Sequence, residues 1–383
     1  MVLLLLEAPM LGPDDPVVLL LHGGLDNLGG KTGLAMLRYR RGPIVAVIDP
    51  AHAGADLETV TGIARPVPVL ASMQAALALL PASAARPVAV VGLAPSGGRL
   101  PAALRADLLV ALGAGCSAAS GLHTRLGDDP QLAASRQDGA WIWDLRQEPA
   151  DLPVASGRAA SLPCRRLLAV GTDMAVGKMS ACLELLAAAG RRGLDARFIG
   201  TGQAGLLISG QGVALDAVRV DYAAGAVEQA VLAAADPAEP SDSAGPAGPH
   251  TWLLVEGQGS ICHPGSTATL PLIRGSQPTD LLLVHRAGQT SIRNHAEVAM
   301  PPLTAVIDAV ERLAALGRPA AAASAPTPPP RVRAIALNTA HLDGAAAQQA
   351  LAATAASTGL PCLDPVRQGG EGLWEVLLAM GMG

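Results

Sequence analysis

The sequence predicts an α/β protein built from two open parallel sheets. Short continuous apolar runs alternate with small-residue stretches of helical length, and the rhythm restarts after a Pro/Ala/Ser-rich stretch over 148–163. Each half also carries an apolar run that leads into a glycine-rich turn ending in Gly-Lys. Apolar runs bounded by Gly, Pro or Asp fit strands buried on both faces of a parallel sheet. At one domain per ~150 residues, a chain of 383 has room for two or three domains.

In the first half, residues 17–21, 44–48 and 88–92 are the strand candidates, with helices over 72–80 and 101–109 between them. Strand, helix and strand in this order give a Rossmann-like domain, assigned to 1–150. In the second half, 166–170 predicts a strand and 179–189 a helix closed by Gly190 and Gly193. Further strands are expected at 196–199, 252–255, 281–284 and 332–337, and a helix at 303–316. They make a P-loop NTPase-like parallel sheet over 151–383. Two stretches rich in Pro, Ala, Ser and Gly, 236–249 and 318–330, predict mobile surface loops.

Composition excludes several function classes. Half the residues are apolar and 15% charged, which is enough to build a globular core. Seven aromatics and a net charge of −5 give neither stacking platforms nor an electrostatic footprint for nucleic acid. No apolar run reaches the ~18 residues that span a bilayer, and the opening Met1–Glu7 stretch does not read as a signal peptide. Five scattered cysteines without a CxxC pair suit a reduced, cytoplasmic protein with no zinc knuckle. One bias is informative: of 27 basic residues only Lys31 and Lys178 are lysine. A compact ammonium enters a narrow phosphate-lined loop where the wide arginine fork does not fit.

Lys178 lies in Gly171-Thr172-Asp173-Met174-Ala175-Val176-Gly177-Lys178-Met179-Ser180, between a predicted strand and a predicted helix. That context suits a phosphate-cradling loop, because glycines turn successive N–H groups inward and the helix start adds positive dipole. The spacing is one residue longer than GxxxxGK[ST] and matches the GTDxxVGK loop of dethiobiotin-synthetase-like proteins. Met179 stands where Ser or Thr binds Mg²⁺, and the nearest hydroxyl is Ser180. Phosphate binding is therefore expected, and the Mg²⁺ that nucleotide hydrolysis requires lacks its usual ligand.

Glu256, at the end of the 252–255 strand, lies where open α/β sheets collect ligands; it can serve as general base, hold Mg²⁺ through water, or cap a turn. His263 can be an acid or base, or a plain turn residue beside Pro-Gly. Gln203 lies in small polar residues that end another strand and can touch substrate or phosphate. Arg286 and Arg293 can clamp a carboxylate, or be ordinary surface arginines. Asp216 and Asp221 are weak metal candidates, and no metal site is assigned. The other lysine, Lys31, closes Gly24–Lys31 with the same long spacing and has Thr32 in the metal position. It is read as reaching across a domain cleft to an anionic group, with a second nucleotide site as the alternative.

These residues resemble the DgcN-type D-glutamate N-acetyltransferases, a bacterial family with a Rossmann-like N-terminal and a P-loop C-terminal domain. The matching stretches begin with Lys31-Thr…Leu37-Arg-Tyr, Val45-Ala-Val-Ile-Asp49 and Gly171-Thr-Asp-Met-Ala-Val-Gly-Lys178-Met. They continue through Arg197-Phe-Ile-Gly-Thr-Gly-Gln203, Asp216-Ala-Val, Val255-Glu-Gly-Gln-Gly-Ser260, His263-Pro and His285-Arg-Ala-Gly-Gln-Thr-Ser-Ile-Arg293. Only the two low-complexity stretches fall outside the likeness. The resemblance implies acetyl transfer from acetyl-CoA, the co-substrate, to D-glutamate, whose catabolism a partner enzyme continues. The P-loop would cradle the phosphates of coenzyme A, Glu256 or His263 would be the base, and backbone N–H groups of 257–259 would hold the oxyanion. Arg286, Arg293 and Lys31 would meet the substrate carboxylates, with Gln203 beside them. The rival readings are an ATP/Mg²⁺-dependent carboxylate ligase or kinase and a non-catalytic nucleotide-binding module. The expected partners are a small-molecule substrate and further copies of the same chain, with neither nucleic acid nor membrane.

Overall fold

A computed structural model describes residues 11–80, 86–94, 98–237, 245–319 and 328–379. The opening 1–10 stretch, and the parts of the two expected mobile loops at 238–244 and 320–327, lie outside the described residues. The chain divides into two compact units. One comprises residues up to Glu148 together with Gln203–Gly210, the other Pro149–Gly202 and everything from Gln211 on.

The first unit holds β1 (Val17–Leu20), β2 (Ile44–Ile48), β3 (Val69–Leu70), β4 (Val88–Val91), β5 (Ser117–Ser120) and β6 (Ile142–Asp144). They form one parallel sheet in the order β3-β2-β1-β4-β5-β6, the Rossmann order, which reverses direction between β1 and β4. The central β1 and β4 read Val-Val-Leu-Leu and Val-Ala-Val-Val and are buried along their whole length. Helix Ala102–Gly113 lays Leu104, Leu108, Ala111 and Leu112 against Val18, Leu20, Ala89 and Val91, a spacing of three to four residues that makes one apolar stripe.

The second unit holds β7 (Arg165–Gly171), β8 (Ala196–Ile199), β9 (Trp252–Val255), β10 (Asp280–Arg286), β11 (Ser291–Ile292), β12 (His295–Ala299), β13 (Arg331–Asn338) and β14 (Cys362–Leu363). Six of them make a parallel sheet in the order β14-β13-β10-β7-β9-β8, while β11 and β12 pair separately as an antiparallel hairpin. Helix Lys178–Arg192 follows β7; left-handed Gly193 ends it, and Arg191 and Arg192 complement its C-terminal dipole. Since β7, β9, β10 and β13 are parallel neighbours, the loops after them emerge at one sheet edge. That edge brings together residues 171–178, 256–260, 286–293 and 338–339.

The predicted α/β class and parallel sheets are present, and every predicted strand and helix is found within a few residues of its expected ends. Helix Leu303–Ala315 matches the 303–316 expectation. No helix of the described residues is long and apolar enough to cross a membrane.

Candidate functional site

Residues 172–177 fold into a loop between β7 and helix Lys178–Arg192. Gly177 takes φ +115°, a conformation L side chains rarely adopt, and Ala175 sits in the left-handed region at φ +55°. The N–H groups of residues 175–177 in the loop, and of 178–180 in the first helical turn, find no acceptor among the described residues. The loop is held from outside: Thr172 N–H donates to the Val284 carbonyl at 3.1 Å, and Asn338 Nδ2 donates to the Val176 carbonyl at 3.0 Å. Thr172 Oγ1 lies 2.9 Å from His285 Nδ1, and burial pushes that imidazole down to about 4, so His285 is neutral at physiological pH. A fixed loop with a run of unclaimed donors at a helix start is an anion cradle.

Lys178 is only 6% exposed, and its Nζ donates to the Asp173 carbonyl oxygen at 2.8 Å. Burial lowers its amine to about 8, against the pull of Glu256 and Asp173, which favour the charged form. Glu256 begins the loop after β9 and is 4% exposed. Its Oε2 accepts the N–H of Thr201 at 2.8 Å and of Gly202 at 3.2 Å, and Gln258 Nε2 approaches Oε1 at 3.3 Å. Burial raises its carboxyl to about 7 despite these two N–H bonds and the Lys178 charge. Desolvation therefore outweighs mutual attraction for both groups, leaving a proton acceptor poised near neutral pH beside the phosphate loop. The N–H groups of residues 257–259 also meet no acceptor among the described residues.

Asp173 is fully buried and serves three donors. Its Oδ1 accepts the Met174 N–H at 2.6 Å, while its Oδ2 accepts Gln289 Nε2 and, at 2.7 Å, the Arg293 N–H. Arg286 and Arg293 are exposed, and neither side chain is paired with another described residue. His263 is 7% exposed; its Nδ1 accepts the Gly265 N–H at 3.0 Å, so the neutral ring carries its proton on Nε2. Its ring meets that of His295 edge-on, with centroids 5.0 Å apart. Of the expected residues, the loop 171–180, Glu256, His263, Arg286 and Arg293 thus all belong to the second unit and its loop-bearing edge. Met179 and Ser180 are half-buried in the first helical turn.

Lys31 and Gln203 belong to the first unit. Lys31 is exposed at the start of helix Lys31–Tyr39. The glycine turn before it is occupied by the protein's own anion: buried Asp49 accepts the N–H groups of Gly23 at 2.9 Å and Leu25 at 3.1 Å. Those of Gly24, Asn27, Gly29 and Gly30 bond within the turn. The two Gly-Lys turns therefore differ in their free donors, a difference their spacing conceals. Gln203 packs on the backbone after β5, its Cβ 2.9 Å from where a side chain on Gly121 would begin. Asp216 and Asp221 are exposed, in the short helix Leu215–Ala217 and the first turn of Val220–Ala235.

Asn338, Gln289 and the Thr201–Gly202 amides were not among the expected site residues. Asn338 was findable as the first polar residue after a predicted strand. The amides carry no side-chain signal, so only the fold exposes them.

Two family models match this chain: a P-loop domain of the DUF1611 family over residues 153–374, and its Rossmann-like N-terminal domain over 50–148, both described as domains of unknown function. The chain is 32% identical to a D-glutamate N-acetyltransferase of Tritonibacter scottomollicae, over 96% of this chain and 99% of that one. It is equally identical to a D-glutamate N-acetyltransferase of a Pseudoalteromonas species, over 73% of this chain and 78% of that protein. A crystal structure of a DUF1611 family protein from Anabaena variabilis shares 51% identity and a TM-score of 0.83, covering 96% of this chain and all of the other. With both domains matched and relatives aligned across nearly its whole length, the chain belongs to the DUF1611 family.

Proposed function

We propose that this protein is an N-acetyltransferase that moves an acetyl group from acetyl-CoA to the amine of an acidic amino acid, with D-glutamate the first candidate. The observation that carries the reading is the run of unclaimed N–H groups over 175–180, with Met179 in place of the hydroxyl residue that binds Mg²⁺. Such a cradle suits a diphosphate that is gripped but not hydrolysed. The names of the two relatives support the same chemistry.

Coenzyme A supplies the activated acetyl thioester. Residues 175–180 and Lys178 hold its phosphates. Glu256 takes a proton from the substrate ammonium, which suits a carboxyl near 7. N–H groups of 257–259 stabilise the oxyanion that develops on the acetyl carbonyl. As the C–S bond breaks, the departing coenzyme A thiolate takes the amine's second proton. His263, with its own proton on Nε2, donates a hydrogen bond to that sulfur, which leaves the role of base to Glu256. Arg286 and Arg293 neutralise the substrate carboxylates. The proposed setting is the cytoplasm, in keeping with five unpaired cysteines.

The test is acetyl-CoA with a panel of D- and L-amino acids, read by mass spectrometry with and without chelator. Metal-independent acetylation of an acidic amino acid supports the reading. ADP release from ATP that requires Mg²⁺ and a small carboxylic acid, without acetyl transfer, replaces it with a ligase; nucleotide binding without turnover replaces it with a sensor.

A further inference from the structure

The hairpin β11–β12 touches the site at two independent points. Just before its first strand and at its turn, Gln289 Nε2 and the Arg293 N–H both end on Asp173 Oδ2 in the phosphate loop. Further along, the His295 ring stands edge-on to His263 in the loop after Glu256. Otherwise the hairpin closes on itself: Ile292 pairs with His295, Asn294 turns the chain at φ +64°, and Met300 N–H returns to the Thr290 carbonyl. Gln289 Nε2 also donates to the Ser291 carbonyl at 2.9 Å, so one amide clamps the turn and fastens it to the loop. Arg293, whose backbone is fixed by Asp173, has an exposed guanidinium unpaired among the described residues.

Asp173 itself needs an explanation. A fully buried carboxylate is costly unless it is satisfied; its charge helps keep Lys178 protonated but also repels an incoming phosphate. Only one of its three bonds serves the loop, the Met174 N–H; the other two serve the hairpin. We propose that Asp173 is the positioning residue that hangs the Arg293-bearing hairpin on the phosphate loop, making this hairpin the element that selects an acceptor by its carboxylates. The inference rests on the acetyltransferase reading for its substrate. Its structural half, the attachment of the hairpin, stands apart from that reading.

Asp173→Asn keeps the shape but offers one acceptor oxygen instead of two, so either the loop bond or the hairpin pair is lost. Two measurements on the full-length protein decide the matter. In hydrogen exchange, peptides covering 286–299 in the variant are expected to exchange about tenfold faster, while helix Leu303–Ala315 is unaltered. In steady-state acetylation, KM for glutamate rises about tenfold, the loss of one charge-assisted hydrogen bond, while KM for acetyl-CoA moves by less than about threefold. Preference for glutamate over glutamine narrows with it.

Gln289→Ala removes one of the two hairpin bonds and spares the loop. It is expected to shift both readouts in the same direction by about threefold, which keeps the test decisive should Asp173→Asn fold poorly. Unchanged exchange at 286–299 in both variants overturns the inference, as does a KM for acetyl-CoA that rises in step with that for glutamate. A wild-type protein that acetylates no amino acid defeats the functional reading instead, and hydrogen exchange then still decides whether Asp173 holds the hairpin.

Discussion

The stem of Lys178 packs against Gly257, the residue after Glu256. A side chain at 257 would begin 2.8 Å from Lys178 Cδ and 1.7 Å from the Ala169 carbonyl oxygen in β7. The backbone itself therefore sets the separation of amine and carboxylate. Gly257→Ala has to displace β7 or the phosphate loop, with an expected loss of about 1–3 kcal/mol of stability. Weaker acetyl-CoA binding should accompany the lower melting temperature, and calorimetry on the same samples measures both.

Glu256→Gln removes the proposed base without changing the shape of the side chain. Turnover should fall roughly 10²–10⁴-fold, while acetyl-CoA affinity stays within about threefold. Full turnover with intact binding would assign the base elsewhere.

The same carboxyl sets a pH dependence. The wild-type kcat/KM should rise with pH up to about 7 and then level off, since only ionised Glu256 accepts a proton. For stability the sign is reversed. Between the ordinary carboxylate range and about 7, folded Glu256 keeps a proton that the unfolded chain has released, so its contribution declines as pH rises. Lys178 does the opposite above about 8, where the folded amine is neutral and the unfolded one still charged. Thermal melts should show Glu256→Gln gaining on the wild type between pH 5 and 7.5, a window set by the value near 7.

Lys178→Met trades function for stability. A buried ammonium whose charge is disfavoured by burial is replaced by an apolar side chain of similar length, so the melting temperature at pH 7 should rise by roughly 2–4 °C. Coenzyme A affinity should fall at least about tenfold with the loss of the cation. Titration calorimetry separates the two effects; a variant that keeps its affinity would remove Lys178 from phosphate binding.

Asp49→Ala tests the other glycine turn. It strands the N–H groups of Gly23 and Leu25, at a cost of about 1–3 kcal/mol, without touching residues 175–180. Coenzyme A binding should persist in the destabilised variant, as differential scanning fluorimetry with and without the ligand would reveal.

Much of this was legible beforehand, for reasons that differ by element. Strands such as Trp252–Val255 and Ile44–Ile48 were readable because both faces of a parallel sheet are buried, which leaves an unbroken apolar run. Ser117–Ser120 was not, since Ser-Ala-Ala-Ser has too little apolar content to stand out although three of its residues are buried. The two-residue strands at 69–70, 291–292 and 362–363 are too short to show a period. At the site, the Gly171–Lys178 spacing was visible. The contrast with the turn before Lys31 was not, because it depends on Asp49 arriving from the next strand to fill the amides.

The path of the chain has a practical consequence. Gln203–Gly210 belongs to the first unit although it is flanked by the second, so the polypeptide passes from one to the other three times. Buried Arg40 depends on that excursion, donating to the Leu207 carbonyl at 2.8 Å. A single cut after Glu148 would therefore not yield two self-sufficient fragments: the front piece would lack helix Gln203–Ser209, which packs against helix Lys31–Tyr39, and the rear piece would carry that helix with nothing to cover it.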